Sequence, residues 1–120
     1  MTVTKLAGHG REMGTANAVI TYLTSATTSA EVDLEGFAVS GLIIPTIDSA
    51  NITFSVSNSS GGTFYTLKDE DGNTITITAT TGNFAVAADF LSCLDAYRYV
   101  KVITSQNQTS NRTFIFCVKG

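Results

Sequence analysis

Two stretches of the chain repeat with a period of two. Asn51 to Ser57 reads Asn-Ile-Thr-Phe-Ser-Val-Ser, and Thr74 to Ala79 reads Thr-Ile-Thr-Ile-Thr-Ala. Side chains of an extended strand alternate between faces, so this spacing builds strands with one wet face and one buried face. A helix would need apolar residues three and four positions apart. In Asn51–Ser57 the alternation places Ile52, Phe54 and Val56 on a single face.

Other runs have the β-branched and aromatic content of strands: Asn17 to Thr24, Glu31 to Leu34, Phe37 to Ile44, Thr63 to Lys68, Phe84 to Val86, Tyr97 to Thr104 and Arg112 to Val118. Turn residues separate them about every 8 to 12 positions, at Gly36, at Asn58–Gly62, at Asp69–Asn73 and at Thr80–Asn83. Pro45, the one proline, is expected to end the buried strand Phe37–Ile44, because it has no N–H to give a ladder. Asp71-Gly72 between two alternating runs predicts a tight two-residue hairpin with positive φ angles. Ala87 to Leu94, with Phe90, Leu91 and Leu94, predicts one or two helical turns capping an open end.

No helical segments separate the strands, so a parallel βαβ sheet is excluded. The expected fold is all-β: a jelly-roll-like antiparallel β-sandwich of about eight strands with one short helix. A polar arm, residues 1–16 with Gly8, Gly10 and Gly14, precedes a single sandwich domain, residues 17–120. The arm is expected to be extended and to lie outside the core.

Composition agrees with this class and narrows the partners. Thr and Ser number 19 and 11, a quarter of the 120 residues, while charged residues are only 14%. Disorder requires the opposite balance, low hydrophobicity with high net charge. A net charge of −3, with seven scattered Lys and Arg, argues against nucleic acid as a partner. No apolar stretch reaches the 18 or so residues of a membrane-crossing helix. The first residues lack the apolar stretch of a secretory signal, so Cys93 and Cys117 are expected as reduced thiols of a protein made in a cytosol.

Residues able to do chemistry are few. His9, the single His, sits between two glycines in the arm, where nothing would orient it as a catalytic base. One His and two distant Cys lack the paired spacing of a zinc site. Asp69-Glu70-Asp71-Gly72-Asn73 has its glycine in the fourth position rather than the sixth of a calcium loop, and reads as a solvated hairpin tip. Glu31, Asp33 and Glu35 alternate along one strand and share a face that is open to solvent or to a partner. No catalytic residue, cofactor site or metal site is expected, and the chain is not expected to be an enzyme. The candidate partner-contacting residues are Lys5, His9 and Arg11 of the arm with Glu31, Asp33 and Glu35. Phe64, Tyr65, Tyr97 and Tyr99 offer a further possibility, an aromatic platform on which a sugar could stack.

The order of several motifs adds a resemblance. An acidic strand, Glu31-Val32-Asp33-Leu34, precedes an apolar strand ending in proline, Leu42-Ile43-Ile44-Pro45. Then come Ala50-Asn51-Ile52-Thr53-Phe54-Ser55-Val56-Ser57 and the hairpin Gly61-Gly62-Thr63-Phe64-Tyr65-Thr66-Leu67-Lys68-Asp69, closing at Gly72. Arg98-Tyr99-Val100-Lys101-Val102 stands near the end. In this order, over roughly three quarters of the chain from Thr27 on, the sequence resembles a family of small structural proteins of tailed-phage virions. It departs from that family at Ile47-Asp48-Ser49-Ala50, where a Trp is common. The resemblance implies a capsid decoration or cement protein, self-associated as a homotrimer, bound to the major capsid protein on the virion surface. The Arg98–Val102 strand also resembles those of discoidin-like and carbohydrate-binding jelly rolls, which implies instead a tail or fibre module recognising host glycan.

Overall fold

The computed structural model describes residues 4–6, 13–87, 91, 94 and 96–119, with the backbone alone at 4–6. Eight strands follow in chain order: β1 (Thr4–Leu6), β2 (Met13–Ile20), β3 (Val32–Asp33), β4 (Ala38–Ser57), β5 (Tyr65–Thr66), β6 (Ile77–Val86), β7 (Tyr99–Thr104) and β8 (Arg112–Lys119). Every pairing is antiparallel. The fold is the expected all-β sandwich, with its layers joined into a nearly closed sheet.

The joining element is β4. Its first part, Ala38 to Ile43, pairs with β8, and its last part, Ile52 to Ser57, pairs with β7. β6 pairs with β4 from Leu42 to Ile52, and β5 joins it at Ser55 and Val56. One long strand therefore passes from one layer to the other, and β7 and β8 diverge from it like a fork. On the far side the layers meet again through residues 26–30. The Ala30 N–H donates to the Val19 carbonyl of β2 at 3.2 Å, and the Ser29 N–H donates to the Val102 carbonyl of β7 at 2.9 Å. Closing a sheet in this way removes free edges that would otherwise pair with other chains.

Pro45 does not end the strand as expected. It lies just beyond the last β8 partner, Ile43 opposite Ile115, and just before the register shifts between Thr46 and Ala50. A residue without an N–H is accommodated where the β8 ladder has already ended, while the β6 ladder keeps its register from Ile44–Phe84 to Thr46–Gly82. Thr80–Asn83 is likewise no turn: β6 continues through it. Thr80, Gly82 and Asn83 have φ of 50°, 71° and 67°, which bends β6 along with the strand it follows. The Asp71-Gly72 turn also differs from the two-residue form. The Gly72 N–H donates to the Asp69 carbonyl at 3.0 Å, the Asp69 N–H to the Asn73 carbonyl at 2.8 Å, and only Gly72 of the loop has positive φ, 84°. This is a three-residue loop closed by a left-handed glycine. The Asp69 carboxylate takes over the role expected of a primed turn, accepting from the N–H groups of Asp71 and Asn73, both at 2.9 Å.

At the N-terminus β2 begins at Met13, four residues before Asn17, and β1 pairs with it through Thr4–Thr15, Lys5–Gly14 and Leu6–Met13. The inward positions of β2 start with Gly14, Ala16 and Ala18, all buried. Small residues give little hydrophobic contrast, so the alternation is faint in the sequence. The helix expected over 87–94 falls largely outside the described residues; Leu91 and Leu94 within it are fully buried.

The core collects the inward face of each strand. Phe54 of β4 and Phe116 of β8, both without solvent exposure, meet with ring centroids 6.3 Å apart and planes tilted by 51°. Each ring is worth about 1.5–3 kcal/mol in burial, and the tilted pairing adds about 0.5–1.5 kcal/mol. Ile20, Leu42, Ile44, Ile52, Val100, Val102 and Phe114 complete a continuous apolar interior.

The fork between β7 and β8 is filled by polar groups. Gln108, only 3% exposed, accepts the Asp48 N–H at 2.9 Å and the Arg112 Nε–H at 3.2 Å through Oε1. Its Nε2 donates to the carbonyls of Asp48 and Gln106. Asp48 in turn accepts from the Thr109 N–H at 2.7 Å and faces Arg112 at 3.4 Å. Every hydrogen-bonding group of the Gln108 amide has a partner, as a buried amide requires.

Candidate functional site

Of the candidate contact residues, the structure brings the three acids near one rim of the sandwich. Glu31 precedes β3, Asp33 ends it, and Glu35 lies in the turn that follows, with φ of 54°. The expected single strand face is therefore cut short at Asp33, because the Asp33 carboxylate captures the Glu35 N–H at 2.8 Å and turns the chain. Lys5 lies on β1 opposite Gly14. His9 and Arg11 are outside the described residues.

Glu31 and Asp33 have work inside the chain. Glu31 accepts from Ser60 Oγ–H and, at 2.7 Å, from the Gly61 N–H, clamping the Asn58–Gly62 turn across a separation of 30 residues. These bonds, that to Ser60 first, hold its carboxyl below the ordinary 4.5. Asp33 forms a two-pronged pair with Arg98, at 2.9 Å to Nε and 3.0 Å to the second guanidinium nitrogen. Its carboxyl is likewise lowered, mainly by the Arg98 bond. More than half of the Arg98 side chain is exposed, so the pair orients the strand end more than it stabilises it.

The four aromatic residues of the suggested platform do not act alike. Lys101 Nζ sits 4.3 Å from the centre of the Phe64 ring, and the Arg98 guanidinium 5.6 Å from that of Tyr99. Each of these rings already has a cation beside it. Tyr65, on the two-residue β5, is 66% exposed. Tyr97 packs half-buried against the core, tied by its N–H to the Leu94 carbonyl at 3.0 Å.

Tyr65 and Tyr97 share one open depression of about 680 Å³, with Ser57, Asn58, Thr66 and Lys68 along it. A second, of about 690 Å³, adjoins it across Leu67, Lys68 and Tyr97 and runs under the Asp69–Asn73 hairpin. A third, of about 450 Å³, touches Tyr97 from the Glu35 and Arg98 side. Tyr97 thus stands at the junction of a branched furrow. The sequence names both tyrosines but not the furrow, which needs the β5 hairpin folded beside the start of β7. Nor does it reveal the Glu31 clamp, whose partners are too distant in sequence to leave a local signal.

Lys68, Asp69 and Glu70 line the second depression, and Glu35 and Arg98 the third. Among the described residues no cluster of three or more His, Cys, Asp or Glu could hold a metal ion. Cys117 is a free, half-buried thiol, and Cys93 lies outside the described residues.

A second surface is defined by what it lacks. Outward positions of β2, β8, β4 and β6 line up as Asn17, Ile115, Ile43 and Ala85, beside a row of Thr15, Cys117 and Gly41. Neither row contains a charge. Ile43 is 41% exposed. Glu31, Asp33, Arg98 and Lys101 belong to the β3–β7 side, and among the residues with described side chains the nearest charge on the uncharged face is Lys119 at the end of β8.

No family model matches the chain, and neither the curated proteins nor the solved structures contain a match.

Proposed function

We propose that this chain is a structural protein of a tailed-phage virion, a capsid decoration or cement protein that binds the major capsid protein lattice as a homotrimer and performs no catalysis. The observation that carries this reading is the uncharged sheet face through Asn17, Ile115, Ile43 and Ala85. Depletion of charge is what distinguishes the centre of a protein interface from the rest of a surface. A rigid, nearly closed sheet presents such a face with little ordering cost, and symmetry repeats each weak contact around the shell. The order of motifs by which the sequence resembles small virion proteins supports the same reading. So does the net charge of −3, which disfavours attachment to packaged nucleic acid. In this reading the acids near β3 and the arm residues Lys5, His9 and Arg11 remain candidates for further contacts with a partner.

Light scattering on the purified chain tests the self-association: a trimer is the expected state. A chain that stays monomeric at high concentration and does not pellet with capsid shells contradicts the proposal.

A further inference from the structure

We propose that the branched furrow around Tyr97 binds an uncharged oligosaccharide, with Tyr65 and Tyr97 as its stacking faces. This site is separate from the uncharged sheet face and does not depend on the virion reading.

Three observations point to a sugar. First, the exposed ring of Tyr65 and the half-buried ring of Tyr97 border the same depression, and among the described residues neither has the cation that accompanies Phe64 and Tyr99. A sugar ring offers a flat C–H face to an aromatic ring and hydroxyls around its edge, so it needs this combination of apolar faces and polar rims.

Second, the rim retains unspent donors. Asn58 uses its Oδ1 to accept the Arg98 N–H at 3.2 Å, which turns its NH₂ to other uses. Among the described residues that NH₂, the Thr63 and Thr66 hydroxyls and Lys68 Nζ make no hydrogen bond, and all four residues line the depression. Lys68 on one side and Asp69 and Glu70 beyond it give the furrow charges of both signs, which favours a neutral ligand over an anion or a cation.

Third, the wall is preorganised. Ser57 Oγ donates to the Ser59 carbonyl and accepts the Ser59 N–H, both at 3.1 Å, and the Gly62 N–H returns to the Ser59 carbonyl. Glu31 fixes the tip from outside through Ser60 and Gly61. A turn of Ser, Asn and Gly would otherwise be mobile; here its donors are held before any ligand arrives, which lowers the entropy cost of binding.

The full-length chain can be screened on a glycan array and then titrated by ligand-observed NMR with α- and β-linked glucose hexamers and the N-acetylglucosamine hexamer. Saturable binding of at least one uncharged glycan is expected, weakened tenfold or more in Tyr65→Ala, whose exposed side chain can be removed without opening the core. Thr66→Val should weaken it less, and Tyr22→Ala, outside the furrow, should leave it unchanged. Absence of binding to every uncharged glycan, binding confined to acidic glycans, or full binding by Tyr65→Ala would each overturn the proposal.

Discussion

Two glycines show how differently the same residue type can be required. Gly72 has φ of 84° and open space around it, so a side chain there meets only the intrinsic cost of the left-handed region. Gly82 has φ of 71°, and a Cβ would run into the Pro45 carbonyl oxygen of the neighbouring strand. Gly72→Val is therefore expected to cost about 1–2 kcal/mol, and Gly72→Asn only a fraction of that. Gly82→Ala adds a backbone collision to the strain and should cost more than Gly72→Val, about 2 kcal/mol or above. Thermal melts of the three variants check the ranking; equal midpoints for Gly82→Ala and the parent chain would contradict the described bend. The acids make a second case. Glu31 and Asp33 have carboxyls lowered from 4.5 and 3.8. A group depressed in the folded state stabilises above its unfolded value and loses that contribution as pH falls through the folded one. The melting temperature should fall on acidification below about pH 4.5. Glu31→Gln should be less stable than the parent at pH 7, with the gap narrowing by pH 3. A gap independent of pH would show that the clamp is not ionic.

At the scale of elements the controlling piece is β4, twenty residues that serve both layers. Its halves were legible as the separate strands Phe37–Ile44 and Asn51–Ser57, because each has its own apolar pattern. Their continuity was not legible, since Pro45 and the polar Asp48-Ser49 look like a break. What carries the strand through is remote: the β6 bend opposite, and the Gln108 amide in the fork. Sequence patterns report which face a residue takes, not which distant loop supplies its hydrogen bonds. The same limit applies to the candidate site, where Tyr65 and Tyr97 could be named as aromatic while their shared furrow could not. Gln108→Leu keeps much of the volume but leaves the Asp48 N–H without its partner, at an expected cost of about 2 kcal/mol. Hydrogen exchange should then accelerate at Asp48 and Thr109, with the β2–β8 ladder much less affected. Unchanged protection at Asp48 would remove the amide from its role as the filler of the fork.

At the scale of the whole molecule, the described charges avoid one outward face of the sheet. The β3–β7 side, the Asp69 hairpin and the fork carry most of the described ionisable groups, and the β2–β8–β4–β6 face carries nearly none. Stability alone does not ask for this, because a charge on the outward side of a strand costs little. An uncharged flat face is instead a hazard for a protein that remains alone and an asset for one that is covered. Co-sedimentation with capsid shells, comparing the parent chain with an Ile43→Asp, Ile115→Lys double variant shown by circular dichroism to be folded, puts this directly to the test. Saturable, stoichiometric pelleting of the parent and its loss in the variant are expected. A parent chain that stays in the supernatant, or a folded variant that pellets as well as the parent, would contradict it.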